Sequence, residues 1–180
     1  MAGLKPGTVL SLLTGLGNGY DLAAAGDAPL LLGGGVGVPP LYLLAKELRA
    51  QNKAVRVILG FNTKEEIFYE NEFRALGCQV TVTTVDGSYG IKGFVTDALP
   101  RDYSYFYTCG PLPMLKSVYR STKTSGEFSL EERMGCGFGA CMGCSMKVKD
   151  LSGKSPDGII FKRVCKEGPV FKKEELLWED

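Results

Sequence analysis

"APLLLGGGVGVPPLYLLAKEL", residues 28–48, decides the fold class. Three leucines run straight into three glycines, as a strand buried on both faces of a parallel sheet does. The glycines give way to "PPLYLLAKELRAQN", in which Leu41, Leu44, Ala45 and Leu48 recur on one helical face. Strand, glycine turn and helix form the first half of a βαβ unit. The alternation then repeats down the chain. "AVRVILGF" (54–61), "CQVTVTTVDG" (78–87) and "YSYFYTCGP" (103–111) read as strands. "TKEEIFYENEFRALG" (63–77) reads as one helix, with Thr63 as N-cap, Glu66 three residues on and Gly77 at its end. "GFVTDALP" (93–100) reads as a short helix and "LPMLKSVYRSTKTS" (112–125) as a longer one. Strands alternating with helices predict an α/β protein with an open, parallel, Rossmann-like sheet covered on both faces.

Both flanks depart from this rhythm. Residues 1–26 are glycine-rich, with "TVLSLL" (8–13) as a candidate strand and "GLGNGY" (15–20) as a turn. After Ser125 the chain becomes a series of strand-like pieces around cysteines and glycines, with "KKEELLWED" as a candidate closing helix. The expected organisation is therefore 1–26 as a leading piece, 27–126 as an α/β domain and 127–180 as a small β-rich domain.

Composition narrows the chemistry. A chain of 180 residues, 44% hydrophobic and with a net charge of +1, has material for a core and no basic excess for nucleic acid. Histidine is absent, which excludes Cys/His zinc sites, Rieske ligation, histidine-held haem and any nucleophile paired with histidine. "MAGLKPGTVL" lacks the pattern of a secretion signal, and no apolar run reaches membrane-spanning length. The expected location is the cytoplasm, where clustered cysteines more often bind metal than form disulfides.

"MGCGFGACMGCSMK" (134–147) spaces its cysteines as Cys136-x4-Cys141-x2-Cys144, and Cys165 follows after twenty residues. That is the spacing of plant-type [2Fe–2S] ligation. Thiolates around a cluster need backbone N–H groups aimed at sulfur. Gly135, Gly137, Gly139 and Gly143 permit the tight and left-handed turns this requires. A Zn(Cys)4 site usually pairs its cysteines as two CxxC knuckles, whereas these group as three plus one; zinc and two disulfides stay open as alternatives. Cys78, at a helix–strand junction, reads as a small buried hydrophobe.

The loop from Gly33 to Pro39 offers free amides and a helix N-terminus to a phosphate, although Val38 and Pro40 break the G-x-G-x-x-G pattern. Alone, it could equally be a tight strand–helix turn. "TCGPLPM" (108–114) ends the last strand at the ligand-binding edge of such sheets, and Gly110 there leaves room for a flat ring. No acidic residue stands at the tip of the second strand to take a ribose hydroxyl. Asp86 and the acids of "TKEEIFYENE" read as solvated surface.

Taken together, "GLGNGY", "LLLGGGVGVPPLYLLAKEL", "GFVTD", "TCGPLPML", "SLEERMGCGFGACMGC" and "VCKEGPVF" resemble the electron-transfer subunits of class B dihydroorotate dehydrogenases, in the ferredoxin–NAD(P) reductase superfamily. The resemblance implies NAD(H) bound by Gly33, Gly34, Gly35, Val36, Gly37, Val38 and Pro39, with Cys109, Gly110, Pro111 and Met114 near the nicotinamide. It implies a [2Fe–2S] cluster on Cys136, Cys141, Cys144 and Cys165, and no catalytic acid or base in this chain. FAD is the family's hydride acceptor, and the partner is an FMN-containing catalytic subunit in a heterotetramer. Residues 1–26 resemble only the last strand and turn of the family's flavin-binding barrel, so this chain alone is expected to bind FAD weakly or not at all. Two further readings are a reductase subunit serving ferredoxin or sulfide, and a non-enzymatic iron–sulfur, zinc or nucleotide-sensing module.

Overall fold

Leu30, Leu31 and Leu32 are fully buried and form the middle of the central strand. The structure is a computed structural model, and it describes residues 3–178. In chain order its strands are β1 (Leu30–Gly34), β2 (Arg56–Phe61), β3 (Gln79–Thr84), β4 (Ile91–Lys92), β5 (Phe106–Cys109), β6 (Gly126–Ser129), β7 (Ser145–Lys149), β8 (Ile159–Arg163) and β9 (Val170–Lys172). The α-helices are α1 (Val38–Ala50), α2 (Glu70–Ala75) and α3 (Leu112–Ser121). One sheet runs β4-β3-β2-β1-β5-β6-β9, parallel throughout except for β9. β7 and β8 form a separate antiparallel pair.

The two faces of the sheet follow from the two-residue period of a strand. Leu31, Val57, Leu59, Val80, Val82 and Tyr107 pack with Leu41, Leu44, Ala45 and Leu48 of α1 and Phe73 of α2. Leu30, Leu32, Ile58 and Phe106 point the other way, onto Leu115 and Val118 of α3. Each buried leucine contributes roughly 1.5–3 kcal/mol. A strand glycine costs only about 0.5–1 kcal/mol. The leucines of β1 therefore outweigh Gly33 and Gly34 and hold the glycines at the strand's end.

The α/β reading and the small β-rich unit after it hold, with corrections at the edges. The boundary expected near Gly126 coincides with the first residue of β6, so the parallel sheet runs on to Ser129. β9 returns antiparallel beside it, and Leu130, Val148, Val164, Phe171 and Leu176 share the α3-side core. "TVLSLL" forms no strand. Its side chains stay exposed, Val9 at 94% and Leu12 at 75%, and no ladder partner lies beside it among the described residues. The chain docks only from Asn18, whose N–H donates to the Gly168 carbonyl at 2.7 Å. Farther on, the Tyr20 hydroxyl donates to the Thr108 carbonyl at 3.0 Å, and the Asp21 N–H to Glu127 at 2.9 Å.

The helix expected over 63–77 is broken. Lys64–Glu66 is one 3₁₀ turn, and α2 starts only at Glu70. Tyr69 between them is left-handed, with φ of 64°. Its ring stacks on Tyr42 at 5.1 Å, and Phe68 packs on Phe61 at 5.3 Å. Inward packing of these rings overrides the local helix preference. Thr63 makes no side-chain cap, while Gly77 ends α2 at φ of 79°, as expected. The closing helix reduces to one 3₁₀ turn, Lys173–Glu175. Leu176 then bridges to Val148, and Trp178 packs on Phe128 and Tyr119.

Candidate functional site

A cavity of about 370 Å³ opens at the C-terminal ends of β1, β2 and β3 and beside the turn after β5. Open α/β sheets bind ligands at this edge, and the volume suits part of a dinucleotide. Of the nucleotide residues expected from the sequence, Gly34, Gly35, Pro111 and Met114 line it. Gly33 and Gly37 lie beneath as packing positions. A Cβ on Gly33 would stand 3.1 Å from both Val38 and Leu41. One on Gly37 would stand 2.3 Å from the Cys109 carbonyl oxygen. Val38 is fully buried in the α1-side core, Val36 is 83% exposed, and Pro39 is exposed in the first turn of α1.

Cys109 and Gly110 stand at the strand tip beside the cavity. Cys109 is half-buried; burial pushes its thiol up, and Ser129 faces it across the β5–β6 ladder. At Gly110 a Cβ would sit 2.9 Å from the flexible end of Met114, which would have to swing aside.

Several lining residues escaped sequence reasoning, among them Glu66, Phe94 and Ser117. Glu66 matters most. The 3₁₀ turn folds it back onto the tip of β2, where its carboxylate accepts from the Asn62 N–H at 3.0 Å and from Asn62 Nδ2 at 3.0 and 3.2 Å. An acidic group therefore does stand at that tip, and Glu66 is part of the cleft wall. The Asn-x3-Glu spacing was its available signal. Asp86 is exposed and accepts from Ser88, as a surface acid.

The four remaining sequence-singled cysteines come together in the loop before β7 and the turn after β8. All are free thiols. Cys136 lies within side-chain reach of Cys141, and Cys144 of Cys165. Cys136 is also near enough to Cys165 to act on it electrostatically. Cys144 and Cys165 are buried; Cys141 is exposed. Among the described residues no three His, Cys, Asp or Glu side chains close on a single point. The loop and the turn thus bring the four thiols into one region, with backbone N–H groups beside three of the sulfurs.

Backbone donors face these sulfurs. The N–H groups of Ala140 and Cys141 reach Cys136 Sγ at 3.2 and 3.4 Å. The Gly143 N–H reaches Cys141 Sγ, and the Cys165 N–H reaches Cys144 Sγ, each at 3.5 Å. Backbone donation, led by the Cys141 N–H, lowers the Cys136 thiol to about 6, and the Cys165 N–H lowers Cys144. The neighbouring Cys144 thiol, with burial, raises Cys165. Thiolate-favouring donors of this kind fit an iron–sulfur cluster.

The loop's glycines divide into two kinds. Gly137 and Gly139 are left-handed, at φ of 76° and 90°. Gly135 and Gly143 are not; a Cβ on Gly135 would stand a tight 3.1 Å from Cys141 Sγ, whereas one on Gly143 would make an ordinary contact at 3.5 Å. Met142, at φ of 61°, takes the third left-handed position without being glycine.

Comparison with known proteins places a family match on each of the two segments. The family description "Oxidoreductase NAD-binding domain" matches residues 31–120, and "Iron-sulfur cluster binding domain of dihydroorotate dehydrogenase B" matches 131–177. The chain is 46% identical, over 179 residues, to the electron transfer subunit of dihydroorotate dehydrogenase B (NAD(+)) from Geobacillus sp. (strain WCH70), covering 96% of this chain and 67% of that one. The chain belongs to the family of dihydroorotate dehydrogenase B electron transfer subunits.

A second such subunit, from Fusobacterium nucleatum subsp. nucleatum, is 43% identical over 185 aligned positions, with 98% of this chain and 68% of that one covered. This member of the electron-transfer-subunit family thus spans about two thirds of its curated relatives' length. A solved chain of an NADH-dependent reduced ferredoxin–NADP oxidoreductase, studied for flavin-based electron bifurcation, superposes with a TM-score of 0.78 at 32% identity. That match covers 98% of this chain and 63% of the other. No helix among the described residues is long and apolar enough to cross a membrane.

Proposed function

We propose that this chain is the electron-transfer component of a dihydroorotate-oxidising assembly, linking NAD(H) and FAD to FMN in a separate catalytic subunit. The observation that carries the reading is the set of backbone N–H groups donating to the Cys136, Cys141 and Cys144 sulfurs, on a module that shares its core with a nucleotide-type sheet. Cys136, Cys141, Cys144 and Cys165 would hold the cluster. When bound, a [2Fe–2S] cluster supplies single-electron exchange, which matches a two-electron nicotinamide to a flavin partner.

The chain's own residues bind and orient. Gly34 and Gly35 bring backbone close to a pyrophosphate at the start of α1, and Pro111 and Met114 wall the cleft on the β5 side. Met134, Phe138 and Met142, each about half exposed, lie in the same loop as exposed Cys141. We assign docking of the catalytic subunit to this apolar loop and, with the family, a heterotetramer. Residues 1–26, in which Val9, Leu10, Leu12, Leu13 and Leu16 are exposed, are the segment that resembles the last strand and turn of a flavin barrel.

The deciding experiment is an anaerobic NADH titration of the purified chain, read by visible absorption with and without added FAD. Iron and acid-labile sulfide in equal amounts are expected, with bleaching by NADH that requires FAD. A colourless zinc protein, or a coloured one that NADH never bleaches, would overturn the reading.

Glu66 is placed to choose between NADH and NADPH. Its carboxylate, fixed by Asn62, would accept from a ribose hydroxyl and repel a 2′-phosphate. Glu66→Gln is expected to narrow the NADH-over-NADPH binding preference by about tenfold, equivalent to about 1.4 kcal/mol. An unchanged ratio of dissociation constants would remove Glu66 from that role.

A further inference from the structure

Arg163 ends β8, two residues before Cys165, and its guanidinium points back at the cysteine loop. Nη1 donates to the Gly139 carbonyl at 2.6 Å. Nε donates to Glu167 Oε2 at 2.9 Å, and Nη2 donates to Glu167 Oε1. The backbone N–H of Arg163 also donates to Glu167 Oε2, at 2.7 Å. Glu167 therefore holds the fork in one orientation. The Gly139 carbonyl belongs to the same peptide unit as the Ala140 N–H, which donates to Cys136 Sγ at 3.2 Å. A continuous chain results: guanidinium to carbonyl, across one peptide, N–H to sulfur. Gly139 accommodates it at φ of 90°, with the Lys166 stem lying where a Cβ would stand.

We infer that Arg163 is a positioning residue that polarises the Gly139–Ala140 peptide toward the Cys136 sulfur, so that it both fixes the ligand loop and favours the reduced cluster. The inference rests on the iron–sulfur reading above. Hydrogen bonds in series strengthen one another. A cation at the far end makes the Ala140 N–H a better donor, and a better donor stabilises the extra negative charge that reduction brings. Lysine would keep the charge but lose the planar fork that joins Gly139 and Glu167.

The test is a redox titration of the full chain carrying its cluster, in wild type and in Arg163→Met, Arg163→Lys and Glu167→Gln, together with the rate of iron loss to a chelator. Arg163→Met is expected to shift the one-electron equilibrium about tenfold toward the oxidised form, a fall of ~59 mV, and to speed iron loss. Arg163→Lys is expected to recover most of the potential but little of the retention. Glu167→Gln is expected to raise the potential, because it removes a carboxylate that offsets the cation. Opposite signs for Arg163→Met and Glu167→Gln are what a purely structural role would not produce. Equal signs, or no movement in either, would overturn the inference while leaving the cluster in place. Should Arg163→Met fail to keep iron, the upward shift in Glu167→Gln and the Lys variant still decide. A wild-type chain without iron and sulfide would overturn the iron–sulfur reading itself, and this inference with it.

Discussion

Cys165→Ser is expected to leave the chain colourless. Cys165 and Cys144 are 4% and 3% exposed and belong to the core that Val164, Val148 and Leu130 fill. They are the inner pair of the four thiols, and serine at 165 leaves the inner iron one thiolate short. Changes merely around a metal site lower its affinity about 10–100-fold, so loss of a ligand should reduce bound iron at least tenfold. The module should also melt earlier, since a bound metal's free energy adds to folding. Cys78→Ser is the control. Cys78 is buried in the α1-side core and burial pushes its thiol up, so it behaves as a packing residue. Its replacement is expected to cost roughly 1–3 kcal/mol of stability while iron content stays whole. Iron and sulfide analysis with thermal melting of both variants separates the two roles. Full iron in Cys165→Ser would remove Cys165 from the ligand set.

Gly37→Ala is expected to disable the nucleotide cleft. The added Cβ would run into the Cys109–Gly110 peptide: the Cys109 carbonyl oxygen at 2.3 Å, its carbonyl carbon at 2.4 Å and the Gly110 nitrogen at 2.6 Å. No side chain can swing away to relieve this. Either the first turn of α1 or the turn after β5 must retreat, and Gly35 just before the one and Pro111 in the other both line the cleft. Overpacking of this kind costs about 1–3 kcal/mol or more in stability. NADH affinity should fall by at least tenfold, measured by calorimetry or fluorescence titration. Unchanged affinity with unchanged melting would mean that the close approach of α1 to β5 is not needed.

The parts of this molecule legible in the sequence are those whose signal is local. The three-leucine strand running into glycines, the helical stripe of α1 and the three-plus-one thiol spacing each carry their reading within a few residues. β6 and β9 did not, because Gly126–Ser129 and Val170–Lys172 are too short to display a period. Their place in the sheet is decided by whom they pair with, which is a tertiary matter. Glu66 was read as surface because the stretch from Thr63 to Gly77 carries good helix formers throughout. The packing of Phe68 and Tyr69 against Phe61 and Tyr42 breaks that helix and turns Glu66 to the cleft. The closing segment fails in the same way. "KKEELLWED" favours a helix on propensity, yet Leu176 and Trp178 are drawn into the core by Val148, Phe128 and Tyr119.

Ser129 and Val170 face each other across the β6–β9 ladder. Everything from 130 to 169, all four clustered thiols included, thus leaves and re-enters the sheet through a single doorway. In an ordinary hairpin two such facing residues are bridged by a tight turn of two residues. The chain therefore enters and leaves the cysteine module at one place, while the shared α3-side core and the Val148–Leu176 bridge bind that module to the sheet a second time.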